Sequence, residues 1–110
     1  MDKLSELSLI TTYLNKKDDA LELMRSLLKN KVAGVINIFE TCSYFGEHAS
    51  VAEMQEWKMV AKTLPALAEQ VFKYIKSSHP SKTPYIVMQK AQTNSEYVDW
   101  LREQLRGANL

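Results

Sequence analysis

The chain has 110 residues, of which 45% are hydrophobic and 25% are charged. These totals predict one globular domain over residues 1–110 and argue against disorder. Lys and Arg total 14 against 13 Asp and Glu, so the net charge of +1 shows no basic excess for binding nucleic acid. The single cysteine, Cys42, cannot form an intrachain disulfide and favours a reducing, cytoplasmic location. No apolar run approaches the ~20 residues of a membrane span, and the opening MDKLSELSLI is too acidic for a signal peptide.

The first third of the chain predicts a strand followed by a helix. Residues 4–13 are apolar and β-branched enough for a strand, with Leu7 and Leu9 pointing the same way. Residues 15–31 show a helical period, with Asn15 or an early Asp as the expected N-cap. The apolar face of this helix comprises Ala20, Leu23, Met24, Leu27 and Leu28.

The middle of the chain predicts two strands joined by a turn. Residues 32–45 are rich in Val, Ile and Phe, which is typical of a strand, and residues 46–50 (GEHAS) indicate a turn. Residues 53–62 alternate in polarity and place Trp57, Met59 and Ala61 on one side. We expect this third strand to return antiparallel to the second.

The last part predicts a helix, a strand and a final helix. Residues 63–78 carry the clearest apolar stripe, with Thr63 as the expected N-cap and Pro65 in the first turn. His79 and Pro80 end this helix, and residues 84–91 predict a fourth strand. Residues 93–107 predict a helix that begins with a capping box from Thr93 to Glu96.

The order of these elements, βαββαβ plus a C-terminal helix, predicts an α+β, ferredoxin-like fold. In this fold, an antiparallel sheet of four strands has its helices on one face. The other face would then be bare, and oligomerisation is the usual way in which such an apolar surface is covered.

Four segments on this predicted fold resemble the CutA divalent-cation tolerance proteins. VAGVINI resembles their LAACVNI, MVAKT resembles LLIKT, SSHPSKTPYIVM resembles HPY-x-x-P-E-I, and NSEYVDWL resembles NPEYLDWI. The four occur in the family's order and cover roughly residues 8–105. The resemblance implies a homotrimer related to the PII signalling proteins, a link to tolerance of copper and other divalent metals, and no enzymatic activity.

The resemblance also directs attention to three positions where some family members carry copper ligands. These positions are Thr11, Ser78 and His79 here, so His79 alone keeps a ligand side chain. His79 is therefore expected either to bind a divalent metal such as copper or simply to end its helix. Cys42 and His48 form a second combination of metal donors if the hairpin folds them together.

Several further residues match family positions near the cleft between subunits or at the subunit interface. The expected cleft or interface residues are Asn37, Lys62, Thr63, Lys82, Tyr97 and Trp100. Large aromatic residues are usually core or interface residues, whereas Lys82, if close to Lys62, favours an alternative function. That alternative is a PII-like module that binds a small anion or a protein partner. No catalytic motif or phosphate-binding glycine loop is present.

Overall fold

The computed structural model describes residues 3–108, and its elements follow the predicted order. The strands are β1 (Leu4–Leu14), β2 (Val35–Glu47), β3 (Ser50–Thr63) and β4 (Ile86–Asn94). The helices are α1 (Lys17–Lys29), α2 (Ala68–Ser78) and α3 (Ser95–Gln104), and a 3-10 turn, Pro65–Leu67, precedes α2. The sheet order is β2-β3-β1-β4 with antiparallel pairing throughout. This confirms the ferredoxin-like α+β fold.

One face of the sheet carries α1 and α2 over the main core. Side chains alternate across a strand, so Ile10, Met59 and Ala61, which are opposite or adjacent in register, share this face. They pack with Leu23, Leu27, Val71 and Ile75 of the two helices. We call this the helix-covered face.

The other face is not bare, because α3 packs on one end of it. Leu7 and Ala91, which are paired in register, point away from α1 and α2 and contact Val98, Leu101 and Leu105. The start of α3 is fixed by the Ser95 N–H, which donates to the Lys3 carbonyl at 3.0 Å. The expectation that the second face is bare therefore does not hold at this end, where the extra C-terminal helix covers it.

The β2–β3 hairpin extends well beyond the rest of the sheet. β1 pairs with β3 only as far as Leu14 and Trp57, whereas β2 and β3 remain paired to Glu47 and Ser50. The predicted turn at residues 46–50 is only His48 and Ala49, and His48 has φ 53°. His belongs to the residue types enriched at positive φ among non-glycine residues.

The predicted N-cap residues of the helices were wrong. No side-chain cap bond is present at α1, α2 or α3. Thr63 ends β3 instead of capping a helix, and its hydroxyl donates to the carbonyl oxygen of Val32. Thr93 belongs to β4 and not to a helix cap, and its hydroxyl donates a hydrogen bond to Asn94 Oδ1 at 3.1 Å. The predicted end of α2 at His79 is confirmed.

Candidate functional site

A cavity of about 540 Å³ lies between the protruding hairpin and the loop that joins α2 to β4. Its walls come from Ser43, Phe45, Met54 and Glu56 of the hairpin, from Tyr13 and Asn15 at the end of β1, and from residues 79–85. By strand alternation, the strand residues among them lie on the face opposite α1 and α2. The cavity and α3 thus occupy opposite ends of the same face.

His79 fixes the loop that forms one wall of this cavity. The Ser81 N–H donates to His79 Nδ1 at 3.1 Å, so Nδ1 carries a lone pair and the ring proton is on Nε2. His79 Nε2 donates in turn to the Tyr13 carbonyl at 2.8 Å. Both ring nitrogens therefore hold the loop against β1, and His79 also ends α2. A metal could reach Nδ1 only by displacing the Ser81 N–H.

The donors of one chain do not fit a divalent metal site. Over residues 3–108, no three His, Cys, Asp or Glu side chains lie close enough to hold a metal ion. Thr11 is 8% exposed on β1, and Ser78 ends α2, so neither adds a strong ligand to His79. A divalent ion needs three or four protein donors for tight binding.

Cys42 and His48 do not come together either. Both are on or next to the continuous strand β2, Val35–Glu47, so six residues of extended chain place them about 20 Å apart. Cys42 is exposed, and its thiol donates to Glu53 Oε1 at 3.1 Å. This hydrogen bond raises the pKa of the Cys42 thiol.

Three of the predicted cleft or interface residues lie at the α3 end of the sheet. Lys62 Nζ lies 5.9 Å from the centre of the Tyr97 ring, within cation–π range. Trp100 is 46% exposed and its ring centre is 5.6 Å from that of Tyr97. Lys62, Tyr97 and Trp100 thus form one partly exposed cluster.

The other three predicted cleft residues are dispersed. Asn37 is exposed on β2, and Lys82 is exposed in the loop that contacts Tyr13. Lys62 pairs with Leu9, four residues from Tyr13 along β1 and therefore about 13 Å away, so the structure separates Lys62 from the loop that carries Lys82. Thr63 is fully buried on the helix-covered face of the single chain.

Sequence reasoning missed most of the cavity walls. Glu56, Tyr13, Phe45 and Tyr85 line the cavity, but the sequence analysis assigned no role to any of them. The sequence held a weak indication of this wall, since every second residue of β2 lies on the same side, which groups Phe39, Thr41, Ser43 and Phe45. The register of β2 on β3 was needed to place Glu56 beside them.

Comparisons of the sequence with a family model and with known proteins point to the same family. Residues 8–104 match the family model for the CutA1 divalent ion tolerance protein. The divalent-cation tolerance protein CutA of Thermotoga maritima is 28% identical over 96 residues, covering 86% of this chain and 95% of that protein. The CutA of Thermus thermophilus is 30% identical over 102 residues, covering 91% and 97%.

Solved structures agree with these sequence matches. A structure described as the periplasmic divalent cation tolerance protein CutA from Archaeoglobus fulgidus superposes with a TM-score of 0.82 at 25% identity, covering 91% of this chain and 99% of that one. The divalent ion tolerance protein CutA1 from Ehrlichia chaffeensis gives 0.84 at 24% identity, covering 96% and 97%, and supports the fold alone.

Proposed function

We propose that this chain, which belongs to the CutA1 divalent ion tolerance family, is a non-catalytic homotrimer that acts in the tolerance of divalent metal ions. The family match over residues 8–104 carries the tolerance role. The family is named for tolerance and not for an enzymatic reaction. Among residues 3–108, no helix has the length and apolar character needed to cross a membrane. A cytoplasmic location and a single domain over 1–110 remain part of the proposal.

The free edges of the sheet support a ring-shaped oligomer. Among residues 3–108, β2 pairs only with β3 and β4 pairs only with β1, so two different strands leave unpaired N–H and C=O groups at opposite edges. Exposed strand edges of this length are normally covered by another chain or element. Contact between two different edges is heterologous and closes into a ring when the rotation allows. Three copies are the number that the family resemblance implies.

Exposed apolar side chains on the uncovered part of the sheet support the same proposal. Phe39 is 49% exposed, Phe45 is 42% exposed and Met54 is 41% exposed, and all three lie opposite α1 and α2. Large apolar side chains exposed on one sheet face favour a contact with another chain. Light scattering across a concentration series tests the trimer, which requires three times the chain mass. A monomer at micromolar concentration would contradict it.

The role of His79 as a metal ligand stays a prediction. Any further donors must come from a neighbouring subunit, because residues 3–108 of one chain hold no three-donor group. Calorimetric titration of the oligomer with Cu(II) and Zn(II), beside His79→Ala, tests the role. Tight binding that disappears in the variant would establish it. Binding by neither protein, or equal binding by both, would remove His79 from the metal chemistry.

A further inference from the structure

We propose that His79 is a positioning residue for assembly. Its imidazole latches the loop of residues 79–85 onto β1 and so fixes part of the surface on which a second copy packs. This inference rests on the proposed homotrimer and names one side chain on which the contact between copies depends. Support comes from the hydrogen bonds of the ring, from the scarcity of other hydrogen bonds that hold the loop, and from the position of the loop beside the hairpin.

The imidazole of His79 bridges its own loop and the neighbouring strand. Its Nδ1 accepts a hydrogen bond from the Ser81 N–H at 3.1 Å, and its Nε2 donates to the Tyr13 carbonyl at 2.8 Å. The first bond turns the chain directly after α2, and the second fixes this turn to the end of β1. A neutral imidazole is suited to the task because it offers one acceptor and one donor at separate positions of a rigid ring.

Few other contacts hold the loop on the sheet. Among residues 3–108, no other side chain of residues 79–84 forms a hydrogen bond to a strand. The Thr83 N–H donates to Ser81 Oγ at 3.2 Å, within the loop itself. The rings of Tyr13 and Tyr85 meet edge to face with their centres 5.4 Å apart. Because neither core cluster includes a residue of 79–85, loss of the His79 ring should free the loop and leave the core intact.

The loop lies beside the surface that we propose for contact between copies. Phe45 and Met54, two of the exposed apolar residues of that surface, line the cavity together with Tyr85 of the loop, which is 55% exposed. A second copy that packs on the hairpin wall of this cavity therefore also meets the loop wall. A loop that is fixed before association lowers the entropy cost of the contact.

The same hydrogen bonds set the positioning role of His79 against a role as a metal ligand. Both ring nitrogens are engaged within the chain, and a metal at either one would break a bond that holds the loop. Residues 3–108 of one chain also hold no group of three donors to compensate for that loss. The two roles are therefore alternatives, and substitution can separate them.

The experiment compares His79→Gln and His79→Ala in the full chain. A glutamine amide can still donate to the Tyr13 carbonyl but is a poor ligand for Cu(II) or Zn(II), whereas alanine can do neither. Light scattering over a dilution series gives the chain concentration at which half of the oligomer has dissociated. Ser78→Ala is the matched control, because this neighbouring side chain is exposed and lies outside the cavity.

We expect His79→Ala to raise the concentration of half dissociation about tenfold through loss of the latch, with an unchanged circular dichroism spectrum. His79→Gln and Ser78→Ala should dissociate at the same concentration as the parent chain. In the parent chain, NMR of the isotopically labelled imidazole should place the ring proton on Nε2. Addition of Zn(II) should leave this NMR signal unchanged.

Four results would overturn the proposal. Equal dissociation of the parent chain and His79→Ala would show that assembly does not depend on the latch. Dissociation of His79→Gln as easily as His79→Ala would show that the bond to Tyr13 does not position the loop. A Zn(II)-induced change at Nδ1 would make the ring a metal ligand. A monomeric parent chain would remove both the homotrimer and the positioning role, and the NMR signal of the ring would then show whether the latch itself exists.

Discussion

Two buried threonines on the helix-covered face illustrate how the contribution of a buried hydroxyl to stability depends on whether it has a hydrogen-bond partner. Thr12 and Thr63 are both fully buried. The Thr63 hydroxyl donates to the Val32 carbonyl, whereas the Thr12 hydroxyl is without a partner among residues 3–108. Burying a hydroxyl without a hydrogen bond costs free energy, while a satisfied one contributes to stability.

Replacing each threonine by valine should therefore change stability in opposite directions. Thr12→Val removes an unsatisfied group and should raise the free energy of unfolding by up to about 1 kcal/mol. Thr63→Val leaves the Val32 carbonyl without its donor and should lower it by about 1–2 kcal/mol. Denaturant unfolding at a fixed chain concentration measures both. A loss of stability in both variants would show that Thr12 has a partner after all.

The thiol of Cys42 gives a second test at the residue scale, through its pH dependence. Its hydrogen bond to the Glu53 carboxylate raises the pKa of the Cys42 thiol, so less of the reactive thiolate is present at neutral pH. Glu53→Gln removes the negative charge, which should lower this pKa and speed alkylation by iodoacetamide near neutral pH.

The measurement is the alkylation rate of the folded protein from pH 7 to pH 10. The rate rises as pH passes through the thiol pKa, so the midpoint should lie at lower pH in Glu53→Gln than in the parent chain. Glu56→Gln is the control, because its side chain lies on the other face of the hairpin. Identical profiles for all three proteins would contradict the inferred role of Glu53.

At the scale of elements, the docking of α3 depends on a close approach at Gly34. A Cβ atom built on Gly34 would lie 2.3 Å from Leu101 Cδ1, and Leu101 is fully buried. The C-terminal end of the helix is tied to the same region, since Lys31 Nζ donates to the Arg106 carbonyl at 3.0 Å. Absence of a side chain at position 34 therefore lets α3 lie on the sheet.

Gly34→Ala should displace Leu101 and lower the free energy of unfolding by about 1–3 kcal/mol, the usual cost of overpacking. Thermal unfolding of the variant provides the measurement. Gly46→Ala on the hairpin is the matched control, because a Cβ there has no heavy atom within 4 Å. Equal effects at the two positions would show that loss of glycine flexibility, and not contact with Leu101, determines the result.

The type of element was predicted best where a regular apolar pattern extends over many residues. The stripe of residues 63–78 and the alternation around Met59 both produced the correct type of element. Element ends were less accurate, because they depend on pairing that the local sequence does not show. Val32 and Ala33 are apolar and buried, yet β2 begins only at Val35.

The candidate site was harder to predict than the fold. His79 was recognised because it ends a helix before proline, a local signal. Glu56 and Tyr85 are far apart in sequence and meet only through the sheet order β2-β3-β1-β4 and the loop tied to Tyr13. The position of α3 on the second face was also missed, since an amphipathic helix does not by itself specify the face on which it packs.

At the scale of the whole molecule, the uncovered sheet surface has consequences for assembly. The chain measures 50 × 32 × 20 Å along its principal axes, and the protruding hairpin accounts for part of its length. An isolated two-stranded ribbon is only marginally stable in water. The hairpin and the apolar residues near it therefore gain most from contact with another copy.

Phe39 offers the sharpest test of that assembly. It is 49% exposed on edge strand β2, on the face opposite α1 and α2, so a charge there need not disturb the core. We expect Phe39→Arg to keep its circular dichroism but to lose the trimer, because burying an unpaired charge in an interface costs several kcal/mol. Light scattering over a dilution series measures the mass. Leu28→Arg is the control, since Leu28 is 37% exposed on α1 and should leave the trimer intact. A Phe39→Arg protein that stays trimeric, or equal dissociation of both variants, would mean that this face is not the contact surface.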